Sequence, residues 1–163
     1  MVENLQIRPA TEEDLPALTA MTQAFNDHLD ALDSQGPAPD GEAVAAASMA
    51  RFRPMAFGPD PICTVMMAEL DGEGVGFLTY YLGVFMDDVT PVLHVADFFV
   101  RQDHRRRGIG TALMREAHRI ARERGASRLF WTVWEKNTEA QRFYASVGAA
   151  PEQGSILMEW RTK

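Results

Sequence analysis

The segment 105–111 carries the clearest chemical signal in the sequence, because three consecutive arginines lead directly into a G-x-G pattern. Glycines let a backbone approach a ligand closely, since no Cβ intervenes. The first amides of a helix have no partner within the helix and lie at the positive end of its dipole, so they bind anions. The spacing of Arg105, Gly108 and Gly110 therefore predicts an anion site where a strand leads into a helix. The simpler interpretation is a basic helix start exposed to solvent.

Charge is distributed unevenly along the chain, which narrows the kind of ligand that this segment suits. The 163 residues carry a formal net charge of −7, yet ten of the fourteen arginines lie between Arg101 and Arg142. A general nucleic-acid-binding protein shows a basic excess, so the overall acidity argues against that class. An acidic chain with a local arginine cluster predicts a small anionic ligand held at one place.

Length and composition predict one globular domain. With 46% hydrophobic and 24% charged residues, the chain can fill a single core. No apolar run approaches the roughly 18 residues of a membrane helix, and the N-terminus has no signal-peptide pattern. The single cysteine, Cys63, excludes an internal disulfide, and His104 and His118 lack the spaced partners of a metal site. We therefore expect a cytoplasmic protein that needs no metal.

Hydrophobic periodicity predicts alternating strands and helices around the arginine segment. Residues 92–100 are nearly all apolar, as expected of a central strand buried on both faces, and a long helix runs from Ile109 to Gly125. Further strands are predicted at 5–8, 62–70, 75–85, 128–133 and 155–161, and further helices at 11–30, 42–52 and 138–147. A hairpin followed by strand–helix alternation predicts a mixed α/β sheet with helices on its faces.

A second cluster of residues follows at a characteristic distance, and the two clusters together resemble a known family. It reads Asn137-x-x-Ala140-x-x-Phe143-Tyr144-x-x-x-Gly148-Ala149. With Arg105-x-x-Gly108-x-Gly110, and with an opening of Ile7-Arg8-x-Ala10 before Asp14 and Leu18, the chain resembles the GNAT N-acetyltransferase superfamily. The resemblance implies a single GNAT domain over residues 1–163. It also implies an α/β (α+β) fold whose mixed, mostly antiparallel sheet has helices on its faces and two splayed parallel strands, here 92–100 and 128–133, that hold acyl-CoA.

The resemblance further implies which residues bind acetyl-CoA, the acyl-donor co-substrate. The loop 105–111 would hold the pyrophosphate, and strand amides near 98–100 would hold the pantetheine arm and stabilise the oxyanion. The implied donor-binding residues are Phe98, Phe99, Val100, Arg105, Arg106, Arg107, Gly108, Ile109, Gly110, Thr111, Asn137, Ala140 and Phe143.

Two protons must move during such a transfer, and the resemblance assigns a carrier to one of them. Tyr144 occupies the position of the family's general acid, and a phenol with a pKa of about 10 stays protonated at neutral pH. Packing of Phe143 against Tyr144 is the alternative. Residues 94–100 are similar to the strand of diamine (spermidine/spermine) acetyltransferases, but the catalytic Glu of that subfamily falls on Ala96. His94 or Asp97 is therefore the expected base, Asp97 through a β-bulge or a water, unless each is a hydrogen-bonded structural residue.

These inferences predict an acetyl-CoA-dependent N-acetyltransferase that acts on the primary amine of a small acceptor by direct attack in a ternary complex. Asp27, Asp30 and Asp33 close the first helix, and Asp87 and Asp88 precede the central strand, so an acidic mouth favours a cationic amine. A solvated helix end is the alternative. A non-catalytic acyl-CoA-binding regulator is the second hypothesis, because alanine cannot be a base. Edge strands could pair two copies in a homodimer, and neither nucleic acid nor a membrane is an expected partner.

Overall fold

The computed structural model describes residues 4–33, 40–154 and 158–161, which fall into two compact units. The first unit ends at Thr132, and the second begins at Val133. The strands are β1 Leu5–Pro9, β2 Thr64–Leu70, β3 Glu73–Phe85, β4 Thr90–Val100 and β5 Arg128–Phe130. The helices are α1 Leu15–Leu32, α2 Gly41–Phe57, α3 Ile109–Glu123 and, in the second unit, α4 Thr138–Ser146. Short 3-10 turns lie at Glu12–Asp14 and Gln102–His104.

The five strands form one sheet in chain order, with helices packed on it. The pairs β1–β2, β2–β3 and β3–β4 are antiparallel, while β4 and β5 are parallel. A parallel pair needs a crossover connection, which α3 supplies between β4 and β5. The predicted mixed, mostly antiparallel α+β fold is confirmed.

The parallel pair β4–β5 is short, and the two strands part early. Their register pairs run from Val92 with Arg128 to His94 with Phe130. Beyond His94, β4 continues to Val100, whereas β5 ends. Within the described residues no strand therefore pairs with the second half of β4 on this side. We call the side of β4 beyond His94, where no described strand pairs with it, the gap; the family resemblance implies that the two strands splay here.

A β-bulge interrupts β4 beside this gap. Thr79 of β3 pairs with Asp97, but the next residue, Tyr80, pairs with Val95, so Ala96 is the extra residue. Ala96 is exposed, in contrast to the buried Val95 before it. A bulge inserts one residue and changes the facing of the side chains that follow, so simple alternation from His94 no longer applies at Asp97.

The core fills the space between the sheet and the helices on its faces. A cluster of Leu18, Met21, Val65, Met67, Phe77 and Phe99 joins α1 to β2, β3 and β4. The Phe99 ring lies 5.7 Å from Phe25 and 6.3 Å from Phe77, measured between ring centroids. On α3, one face is buried, as its periodicity predicts: Ile109, Leu113, Met114, Ala117 and Ala121. The end of β4 is thus held firmly by aromatic packing.

Three predicted elements have different limits in the structure. The second helix extends to Phe57 through Pro54, and the Gly58 N–H donates to the Pro54 carbonyl, so the proline does not end the helix. The strand predicted at 128–133 ends at Phe130, where its register pairs with β4 end. Of the strand predicted at 155–161, residues 158–161 are not in a strand, and residues 155–157 lie outside the described residues.

Arg8 fastens β1 to the turn before α1 and to β2. Its Nη1 and Nη2 donate to the two oxygens of Asp14, each at 2.8 Å, and its Nε and Nη2 donate to Glu69 Oε2 at 2.9 and 2.7 Å. The hydrogen bonds from Arg8 lower the pKa of Asp14. The Thr11 N–H also donates to Asp14 at 2.8 Å. Bidentate, charge-assisted bonds of this kind are the stronger class of side-chain hydrogen bonds.

We predict that Asp14→Asn lowers the free energy of unfolding by about 1–2 kcal/mol at neutral pH, because it breaks a charge-assisted pair that is largely shielded from solvent. Since the folded-state pKa of Asp14 lies below the unfolded value, the wild-type advantage is complete above the unfolded pKa. It disappears as pH falls through the folded one. Urea unfolding at neutral and acid pH measures this. Glu12→Gln, which removes an exposed pair with Arg53 next to it, is the matched control with an expected change near zero. Equal losses in the two variants would contradict the prediction.

Candidate functional site

The loop between β4 and α3 contains two left-handed residues, a feature of anion-binding nests, and we call residues 106–111 the nest. Arg106 and Gly108 have φ angles of 59° and 83°, both left-handed. Left-handed residues within a turn direct successive N–H groups toward one side. The first helical hydrogen bond of α3 runs from the Ala112 N–H to the Gly108 carbonyl at 3.0 Å. The amides of residues 109–111 therefore precede the helical ladder and are available to a ligand.

The three arginines of this loop do not share one role. The Arg105 Nε donates to the Val100 carbonyl at 3.2 Å, and its Cζ lies 5.9 Å from the centroid of the Phe99 ring. Arg105 thus folds back on the end of its own strand. Arg106 and Arg107 are exposed together with Gly108. The geometry separates a loop-positioning arginine from two that face solvent beside the nest.

A cleft of about 520 Å³ opens between α1 and the first half of this loop. Ala24 and His28 of α1 form one wall, and Phe99, Arg101, Gln102, Asp103 and Arg105 form the other. Arg101 is held by ion pairs with Glu73 and Asp103. Sequence reasoning missed Ala24 and His28, because α1 carries no motif and its cleft-facing side is visible only once α1 packs beside β4.

His94 lies where β4 and β5 part, between two aromatic rings. The centroids of Tyr81 and Phe130, its register partners on β3 and β5, are each 4.6 Å from the imidazole. Burial lowers the pKa of His94, so the ring is neutral at pH 7. Its Nδ1 is buried and has no hydrogen-bond partner among the described residues. A buried, unpaired polar atom costs about 1–3 kcal/mol, and the role of His94 as a base stays a prediction.

Asp97 lies in the bulge, one residue beyond the exposed Ala96. Its Oδ1 accepts the Phe98 backbone N–H at 2.9 Å. Burial raises the pKa of Asp97 to about 6, and the hydrogen bond from Phe98 opposes this rise. At neutral pH the carboxylate is therefore ionised, yet its proton affinity is higher than that of an exposed aspartate. Such a group can accept a proton and release it again near pH 7.

In the second unit, the predicted site residues lie at the start and middle of α4. The Asn137 Oδ1 accepts the Ala140 N–H at 3.0 Å, so this pair forms the N-cap of the helix. The rings of Phe143 and Tyr144 lie 5.4 Å apart, between centroids. The spacings of Asn137 with Ala140 and of Phe143 with Tyr144 thus have a local structural cause.

The described residues give no sign of two other kinds of site. They contain no group of three or more histidine, cysteine, aspartate or glutamate side chains able to hold a metal ion. Among them, no helix combines the length and apolar character that crossing a bilayer requires.

Comparison with known proteins identifies the family. The model of the Acetyltransferase (GNAT) family matches residues 22–149, which include β2 to β5, α3 and α4. The chain belongs to the GNAT acetyltransferase family. The closer likeness of β4 in this GNAT chain to diamine acetyltransferases stays a prediction.

Two curated relatives are similar to this GNAT chain. An uncharacterized N-acetyltransferase of Archaeoglobus fulgidus is 38% identical over 94 residues, which are 55% of this chain and 63% of the relative. An L-ornithine N5-acetyltransferase of Arabidopsis thaliana is 28% identical over 105 residues, which are 64% of this chain and 41% of the relative. The matched region therefore spans less than two thirds of either relative.

Solved structures have the same fold. An integron cassette protein from the mobile metagenome of V. cholerae superposes with a TM-score of 0.79 at 22% identity, covering 97% of this chain and 93% of that one. An aminoglycoside N-acetyltransferase solved in complex with CoA gives a TM-score of 0.68 at 18% identity, covering 96% and 95%. At these identities the likeness concerns the GNAT fold alone.

We predict that Gly108→Ala weakens CoA binding about tenfold or more, because a left-handed residue with a Cβ costs about 1–2 kcal/mol and the nest relaxes to avoid that cost. Gly125→Ala is the matched control, since Gly125 has a φ angle of 70° at the other end of α3. Calorimetric titration with CoA, paired with thermal unfolding, measures both effects. Similar losses of thermal stability are expected, with weaker binding in Gly108→Ala only. Unchanged CoA affinity in Gly108→Ala would exclude the nest as the ligand site.

Proposed function

We propose that this GNAT protein is an acetyl-CoA-dependent N-acetyltransferase, with residues 1–163 serving one activity by direct transfer in a ternary complex. The observation that carries the proposal is the succession of three features along one strand: the gap beyond His94, the bulge at Ala96 and the nest after Val100. A strand edge without a partner suits an extended pantetheine arm, and the nest suits a diphosphate. Family membership supplies the class of acyl donor.

In the proposed donor site, residues of the loop and of the strand bind different parts of acetyl-CoA. The amides of residues 106–111 would hold the diphosphate, with the exposed Arg106 and Arg107 adding charge. Arg105 would keep the loop seated on β4 through Val100 and Phe99. The backbone of residues 98–100 would hold the pantetheine arm. Asn137, Ala140 and Phe143 are assigned to this site on the resemblance alone.

Acetyl-CoA brings an acyl group already activated as a thioester, so the protein must align an amine with it and manage two protons. We assign the proton from the acceptor ammonium to Asp97, which is ionised at neutral pH and lies in the bulge. His94 is the weaker candidate, because its unpaired Nδ1 is buried. We assign protonation of the departing thiolate to Tyr144, on its position in the family motif.

A cationic amine is the acceptor class that the charges favour. Asp30 and Asp33 end α1 with no basic residue in its last turn. One of the five candidate aspartates has a structural role, because Asp88 accepts hydrogen bonds from the Thr90 N–H and hydroxyl. The relative from Arabidopsis thaliana is named for acetylating the side-chain amine of ornithine, a cationic acceptor.

The direct test is release of CoA thiol from acetyl-CoA in the presence of an amine panel. We expect turnover with ornithine, polyamines or aminoglycosides, and at least tenfold lower kcat/KM with neutral or anionic amines, because acidic side chains attract cations.

Tyr144→Phe should lose turnover by about 10²–10⁴-fold while CoA affinity is kept, since general-acid catalysis contributes that much. Tight CoA binding without turnover for any amine would instead support the second hypothesis, an acyl-CoA-binding regulator, which the exposed Ala96 favours.

The pH dependence of turnover tests the assignment of the base. We expect kcat/KM of the wild-type enzyme to rise as pH increases through about 6, because Asp97 accepts a proton only after it has ionised. Asp97→Asn should lose this inflection and most of its rate, whereas His94→Gln should keep the inflection. An inflection that survives in Asp97→Asn but disappears in His94→Gln would transfer the role to His94.

A further inference from the structure

The Phe98 backbone N–H lies within the proposed site, and it is already hydrogen-bonded to the side chain of Asp97. In an unbroken strand that N–H would face either a ladder partner or the free edge. Here it donates to Asp97 Oδ1 at 2.9 Å, next to the bulge. Phe98 is also the first of the residues whose backbone is proposed to meet the acyl donor. A hydrogen bond from this amide to a ligand would therefore compete with the one to Asp97.

The Asp97 carboxylate depends on this bond for compensation. Among the described residues, no arginine, lysine or histidine forms an ion pair with Asp97, and the Phe98 N–H is its hydrogen-bond donor. A partly buried carboxylate without a cation needs such donors, because desolvation disfavours its charge. Breaking this hydrogen bond therefore costs free energy, because it leaves the Asp97 carboxylate without a donor.

We propose that the Asp97 carboxylate is a placeholder that holds the Phe98 amide until the thioester carbonyl of the acyl donor takes its place. This inference rests on the proposed function. On donor binding, the carbonyl oxygen accepts the Phe98 N–H, and the carboxylate rotates off the amide toward the acceptor. The same event prepares the carbonyl for attack and releases the base.

The transfer then balances in atoms and charge. The ammonium of the acceptor gives one proton to the freed Asp97 carboxylate and becomes a neutral amine. The amine nitrogen forms a C–N bond to the carbonyl carbon, whose oxygen gathers negative charge against the Phe98 N–H. The C–S bond breaks, the thiolate takes a proton from the Tyr144 phenol, and the new amide nitrogen loses its second proton to solvent. Asp97 and Tyr144 return to their starting states by exchange with water.

A placeholder role for Asp97 affects the ratio of acetyl-CoA affinity to CoA affinity, whereas a role as general base alone does not. Acetyl-CoA must displace the carboxylate from the amide with its thioester carbonyl, whereas CoA lacks that carbonyl and need not displace the carboxylate. Removal of the carboxylate should therefore improve the affinity for acetyl-CoA relative to CoA. A hydrogen bond to a charged group is worth about 1.5–3 kcal/mol net, so the expected improvement is about tenfold or more. Any general effect of removing a negative charge acts on both ligands and cancels in their ratio.

The experiment is calorimetric titration of the wild-type protein, Asp97→Ala and Asp97→Asn with acetyl-CoA and with CoA, in the absence of any amine. Asp97→Ala is expected to bind acetyl-CoA about tenfold more tightly relative to CoA than the wild-type protein does. Asp97→Asn, the matched control, keeps an oxygen that can accept the Phe98 N–H without charge. Its ratio should fall between the other two, although both variants lose turnover.

A second readout follows the amide itself. In ¹⁵N-labelled protein, the Phe98 resonance should move when acetyl-CoA is added to the wild type, and it should already be displaced in ligand-free Asp97→Ala. An unchanged acetyl-CoA to CoA affinity ratio in Asp97→Ala, with CoA still bound, would overturn this inference and leave the proposed function intact. Absence of binding of both ligands to the wild-type protein would overturn both. If Asp97→Ala does not fold, the ratio and the Phe98 resonance of Asp97→Asn decide in the same way.

Discussion

The early parting of β4 from β5 is the constraint on which the rest of this protein depends. Backbone N–H and C=O groups need partners, and a central strand normally finds them on both sides. In the first unit, β4 has β3 along its whole length but β5 only as far as His94. The second half of β4 must therefore be satisfied by something other than a strand. The Asp97 side chain satisfies the Phe98 amide, and the extended acyl donor is the proposed partner for the rest of this edge.

The bulge and the two titratable residues beside it, His94 and Asp97, give this strand its chemical character. A half-buried histidine and a half-buried aspartate occur three residues apart in a largely apolar strand, and neither has a charged partner among the described residues. Burial shifts the two pKa values toward each other, lowering that of His94 and raising that of Asp97. Polar groups kept at such a cost are typical of functional sites. The firm packing of Phe99 against Phe25 and Phe77 holds the strand in place around them.

The sequence was sufficient to predict the elements whose pattern is local. The apolar run of 92–100 and the helical spacing from Ile109 both correspond to the observed β4 and α3, and the order of elements predicted the mixed sheet. Features that depend on tertiary partners were not predictable. One example is Pro54, which lies inside α2. The helix continues to Phe57, and the Gly58 N–H donates to the Pro54 carbonyl. Trp131 and Val133 look like strand residues but lie beyond the last pair with β4.

In the candidate site, too, local features could be predicted from the sequence, and features that depend on tertiary contacts could not. The residue types of the nest could be predicted, since glycine and arginine spacing is a sequence property, but the return of Arg105 to Val100 and Phe99 could not. The bulge was foreseen only as one way for Asp97 to act. Its cause is pairing with β3, where Tyr80 meets Val95 instead of Ala96. The contact between Asp97 and the Phe98 amide has no sequence signal at all.

The shortness of β5 also bears on how the protein behaves outside its reaction. Three register pairs hold this strand to the sheet, and we expect such a short, sparsely paired strand to open early in native-state fluctuations. The proposed acyl donor, lying beside β4 in place of a strand, would stabilise the folded state by mass action. Purification and storage in excess nucleotide thioester should accordingly slow proteolysis and aggregation. In a cell, the lifetime of the protein would follow the supply of that metabolite.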